Sequence, residues 1–281
     1  MPLPPAASLL DNFTPERHVV VFKRMMQALG VGGPSVETVL SNPNCRPGGF
    51  LEGQIHVEGG DHAVDIEYVA LGMVTRVEVE SGDAEYDSTT EFHRQRATGA
   101  FRLEPKQRYD IPFRFDVPWE TPITEVYGQH LHGMTMALRT ELEVARAVDK
   151  GDLDAVAVHP LPAQEAILDG LLRLGFRFSR ADVESGRVYG VQQSLPFYQE
   201  IEFYPPPQYA RASNQLEVTF LATPQHLQVV LELDKRGGLF TEGHDTFGRF
   251  NVDYATAGQT DWAAQLHGWL EQSLRKRGLF G

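Results

Sequence analysis

One cysteine, Cys45, occurs in 281 residues. No intramolecular disulfide can form, and no thiolate cluster can hold a metal within one chain. That usage suits a reducing compartment, and a cytoplasmic location is expected. Cations are also scarce: 25 Lys and Arg stand against 38 Asp and Glu, a net charge of -13. A field of that sign opposes phosphate backbones and anionic membranes, so nucleic acid is not an expected partner. No apolar run approaches the roughly 20 residues of a membrane span, and the opening MPLPPAASLL lacks the basic start and apolar core of a secretory signal. Catalytic signatures are missing as well. The serines show no G-x-S-x-G elbow, and GVGGPS lacks the lysine and spacing of a phosphate loop. No internal repeat is readable at a short period.

What is present is β periodicity. The 42% hydrophobic fraction carries enough apolar surface to offset the entropy of ordering the chain. Ile111, Phe113, Phe115, Val117 and Trp119 alternate with polar or proline positions, the period of a strand with one buried face. Met134, Met136, Leu138, Leu142 and Val144 repeat that pattern. Further strands are expected at Val36–Leu40, Phe50–Glu58, Val69–Val79, Glu91–Ala97, Gly99–Leu103 and Tyr109–Val117. After an acidic break come those around Phe197–Phe203, Leu216–Phe220, Leu227–Leu233 and Phe250–Tyr254. Helices are expected at Phe22–Leu29, at Gln164–Leu174 ending on Gly175, and at the C-terminus behind Thr260 as N-cap.

The division that follows is an extension over 1–20, a first β-sandwich over 21–148 and a linker over 149–163. A second sandwich with a leading helix covers 164–258, and a C-terminal helix covers 259–281. The strings VPWETPITEVYGQ, LRTELEVARAVDKGDLDAVAVHPLPAQEAIL, LGFRFSRADVESGR, QQSLPFYQEIEFYPP and LELDKRGG resemble the bacterial sporulation-control protein family, from about Phe22 to the C-terminal helix. The resemblance implies an all-β, arrestin-like fold of two antiparallel sandwiches. It also implies a cytoplasmic regulatory or adaptor role, with no catalytic residue to carry over.

Candidate sites are few. His130 and His132 alternate in YGQHLHGM and would begin a metal site if His159 or His93 converged on them; scattered histidines in this number are more often surface residues. Asp149, Asp152 and Asp154 supply hard oxygen ligands but lack the EF-hand frame, as do Asp234, Glu242, His244 and Asp245 in their Gly-rich loop. No metal ligand and no cofactor is therefore assigned. Pro205, Pro206 and Pro207 are expected to end an edge strand, with a polyproline II segment as the alternative. Trp119 is expected in the core. Trp262, Trp269 and Leu270 form the apolar stripe of the last helix, either docked on their own sheet or offered to a partner, and they are the candidate partner-binding residues. The function expected is a non-enzymatic adaptor that binds proteins through sheet edges or grooves, in developmental or stress control. Self-association through exposed edges, and a metal-dependent binder or enzyme, stand as the alternatives.

Overall fold

Three strands with one apolar face each make the first layer. β1 (Ser35–Leu40) and β3 (Phe50–Glu58) flank the two-residue β2 (Asn44–Cys45). In β3 the residues Leu51, Ile55 and Val57 are buried while Glu52, Gln54 and Glu58 face water, so strict alternation sets its register. The computed structural model describes residues 32–81, 84–210, 213–234 and 246–278. The expected extension, the expected helix Phe22–Leu29 and the acidic loop residues Glu242, His244 and Asp245 lie outside them.

β4 (Val64–Ser81) is 18 residues long, about three times the usual strand length. Its length is explained by what pairs with it. β5 (Ala84–Thr98) runs along one edge from Val69 to Ser81, and β6 (Phe101–Leu103) continues that edge. β7 (Arg108–Asp116) returns to β3 and completes the order β1-β3-β7. After the small hairpin of β8 (Glu125–Val126) and β9 (Gln129–His130), β10 (Met136–Val144) takes the other edge of β4 as far as Thr75. β11 (Lys150–Ala155) pairs with β10, and β12 (Ala157–Val158) pairs with β2. The expected linker over 149–163 is therefore mostly strand. Its Leu153 pairs opposite Arg139 and Val158 is fully buried, and the acidic side chains hid that pattern.

α1 (Pro162–Arg173) begins two residues before the expected start, because proline opens a helix without loss and the Gln164 side chain accepts the Leu161 N–H at 2.8 Å. Gly175 ends it at φ +90, the left-handed position glycine adopts most easily. β13 (Arg177–Ser185) then pairs with β4 beyond the end of β10, at Glu184 opposite Glu78, and so joins the two halves of the chain into one sheet. β14 (Phe197–Tyr204), β15 (Gln215–Ala222), β16 (Leu227–Asp234) and β17 (Thr246–Val252) follow in antiparallel order. A 3₁₀ turn, η1 (Ala257–Gln259), leads into α2 (Trp262–Gly278). Asp261 caps that helix, accepting the Ala264 N–H at 3.4 Å; Thr260 instead donates its hydroxyl to Thr256 O. The fold is all-β with two described helices. Its core is continuous from Ile55 and Leu138 through Phe176 and Phe197 to Leu231 and Leu266.

Candidate functional site

The seam between the two halves is polar as well as apolar. The segment after β7 crosses to the second half, where the Gln199 side chain accepts the Ile123 N–H at 2.9 Å and donates to Ile123 O at 2.7 Å. A side chain here completes the backbone pairing a strand would otherwise supply. Glu120 next to it accepts the N–H groups of Ser194 and Leu195 at 2.8 to 3.0 Å. Trp119 lies on Gly48, whose φ of +73 and missing side chain admit the indole, and stacks on Tyr254 with ring centroids 6.1 Å apart. Phe92 and Phe197 meet edge to face at 5.1 Å across the same seam. Trp119 is thus half-buried beyond the end of β7, at the rim of the core it was expected to join and packed against it.

The second locality is the ledge built by α1, α2 and β17. Gly170 lets the helices cross closely: a side-chain carbon there would stand 2.8 Å from Trp262 Cβ and 3.1 Å from Leu266. Trp262 is 5% exposed, stacks on Phe250 at 5.7 Å and donates its indole N–H to Ala257 O at 2.8 Å. Leu270 is 1% exposed. Trp269 lies flat over Gly248 of β17 and stays half-buried, walling a shallow groove of about 280 Å³ with Phe250, Gln265 and Leu266. Of the three candidate partner-binding residues, two lie inside the fold and one shows at its surface. The outer edge of β17 has no strand partner among the described residues. Tyr209, buried and stacked under Phe176, fastens the helix by sharing a 2.6 Å hydrogen bond with His267.

The sequence profile of the SpoOM protein family matches residues 22–237. The chain belongs to that family. A curated relative, the sporulation-control protein spo0M of Bacillus subtilis strain 168, is 34% identical over 216 residues, which is 76% of this chain and 81% of the relative. The crystal structure of Spo0M from Bacillus subtilis superposes with a TM-score of 0.77 at 31% identity, covering 86% of this chain and 100% of that one. The SpoOM match spans both halves and the seam, from β1 to β16. β17 and α2, with Trp269, lie beyond residue 237.

The other sequence candidates do not converge. His130 Nε2 is 2.9 Å from Met134 O, while the His132 carbonyl accepts the Ala181 N–H at 3.1 Å. His159 meets Asn44 and stands 3.9 Å from Glu125, the strand partner of His130, while His93 lies against Phe115, and none of the four belongs to a metal-capable group among the described residues. Asp149, Asp152 and Asp154 also part. Asp149 caps the Val144 N–H at 3.1 Å, whereas the buried Asp152 accepts the Thr38 N–H at 2.7 Å and ties β1 to β11. Groups of metal-capable side chains do occur among the described residues, as Glu78, Asp182 and Glu184 and as Glu141, Glu143 and Asp149, all carboxylates. Pro205 to Pro207 follow β14, which is interior between β13 and β15, and Pro206 O accepts the Tyr209 N–H in a turn. The expected edge strand is corrected. Burial pushes the Cys45 thiol up to about 12, so it stays protonated and inert. Gln199 and Glu120 were missed because their partners lie about 75 residues away, and neither belongs to a local motif.

Proposed function

We propose that this SpoOM-family chain is a cytoplasmic regulator of sporulation or related development, acting without catalysis by binding another protein. The relative's name as a sporulation-control protein supports the role. The observation that carries the mechanism is the pairing of an open β17 edge with a half-exposed Trp269 beside an apolar groove. An extended segment of a partner protein gains main-chain hydrogen bonds by adding to such an edge, and an apolar side chain from it fits the groove. Trp262 and Leu270 serve from inside, fixing the helix that presents Trp269. No described helix is long and apolar enough to cross a membrane, in keeping with a partner met in solution.

Capture of tagged protein from its own cells at native expression tests this. The Trp269→Glu variant is expected to lose the partner that wild type retains, and Val148→Glu, at a site 77% exposed, to keep it. Retention of the same partner by folded Trp269→Glu refutes the ledge, and recovery of the bait alone refutes the adaptor.

A further inference from the structure

Strand register sets carboxylates directly opposite one another across five strands. Glu78 of β4 faces Glu184 of β13, and Asp182 faces Glu200 of β14. Glu202 of β14 faces Glu217 of β15, which in turn faces Glu232 of β16. All seven occupy the face turned away from the apolar core, because the alternate positions Val183, Ile201, Leu216, Val218 and Leu231 are buried in it. In the antiparallel pairs, Asp182 with Glu200, Glu202 with Glu217 and Glu217 with Glu232, opposed Cβ atoms stand about 4.5–5.5 Å apart, and like charges so placed destabilise a sheet, while β4 and β13 run parallel at Glu78 and Glu184. One carboxylate oxygen from each of Glu78, Asp182 and Glu184 lies within 4.8 Å of the others. Asp182 and Glu202 are 6% and 4% exposed, so water screens them little.

Arg180 compensates part of this charge, with Nε 2.9 Å from Glu202 and Nη2 3.4 Å from Asp182. Glu200 stands in the middle of the band. Asp182, Glu184 and Arg180 face it from β13, Tyr198 and Glu202 from its own strand, Glu217 from β15, Glu232 from β16, and Glu78 from β4 beyond. Burial first, then the charges of Glu217, Asp182, Glu184 and Glu232, push its carboxyl well above the usual range. Burial and the carboxylates of Glu200 and Glu184 likewise raise the Tyr198 hydroxyl. The band runs through the β4–β13 pairing, the strand contact that joins the two halves among the described residues.

We propose that this band is a pH-sensitive latch: protons shared among its carboxyls hold β13 against β4, and their release as pH rises loosens the junction. The sign follows from linkage. A carboxyl that holds its proton more tightly when folded adds stability that is complete below the unfolded value of about 4.3 and is lost as pH rises through the folded value. For one such proton the folding constant falls up to tenfold per pH unit in that window.

Full-length protein carrying ¹³C-carboxyl glutamate, titrated by NMR beside urea unfolding from pH 4 to 9, tests the latch. Wild type is expected to show the Glu200 carbon titrating above the ordinary glutamate range, a folding constant that falls through that titration, and Glu78 and Glu184 amide resonances moving in the same window. Glu200→Gln, which mimics the protonated acid, is expected to flatten the dependence, and Asp182→Asn to shift the Glu200 midpoint downward. A Glu200 carbon that titrates within the ordinary glutamate range, an unchanged slope in Glu200→Gln, or amides at Glu78 and Glu184 that ignore the Glu200 titration would overturn it. Should Glu200→Gln not fold, the wild-type titration alone decides.

Discussion

Replacing Gln199 with alanine removes the clasp between the halves, and its cost can be worked from the seam. Gln199 is 8% exposed and Ile123 is fully buried, so water has little access to the groups left behind. Both the Ile123 N–H and its carbonyl lose their partner. An orphaned buried donor or acceptor costs about 1–3 kcal/mol, and the lost side-chain methylene about 0.8 kcal/mol. The expected loss is about 3–7 kcal/mol, a large share of the 5–15 kcal/mol typical of a folded domain. Glu120→Ala is the internal control. It frees two N–H groups at more accessible positions, where water replaces the carboxylate, and should cost only about 1 kcal/mol. Urea unfolding at 25 °C measures both. A Gln199→Ala midpoint like wild type, or equal losses in the two variants, would refute the assignment of Gln199 as the buried link.

Gly170→Ala gains about 1 kcal/mol of helix propensity yet should destabilise by about 1–3 kcal/mol through its clash with Trp262, seen as a red shift in tryptophan emission. Trp119→Ala should cost about 2–3 kcal/mol by denaturant titration, less than the 3–5 of a fully buried aromatic, because the ring is half-exposed at the seam. Cys45 should resist maleimide at pH 8 in the native protein and react once urea unfolds it, since burial both shields the thiol and keeps it protonated.

Most strands were legible because their faces alternate: β3 fell at its expected bounds, and β10 and β14 to β16 lay where the period of two put them. β13 escaped. A register shift between Phe178 and Ala181 breaks its apolar alternation, so RFSRADVES reads as polar loop although it forms the bridge between the halves. β11 escaped for a related reason, its buried face including Asp152, which is satisfied by Thr38. The stripe of the last helix was readable from spacing, but which of its three residues stays accessible depends on Gly170 and Gly248, whose role is visible only in three dimensions. The carboxylate band could not be read from the chain, because its members become neighbours only through pairing.

The central claim is that the ledge around Trp269 meets another protein. A photoreactive phenylalanine analogue at position 269, with the same probe at the 92% exposed Tyr189 as control, tests it most directly in living cells. The account predicts one discrete adduct to a second protein from position 269 and none from position 189. Adducts from position 189 alone, or no adduct from position 269 at native expression, would contradict it.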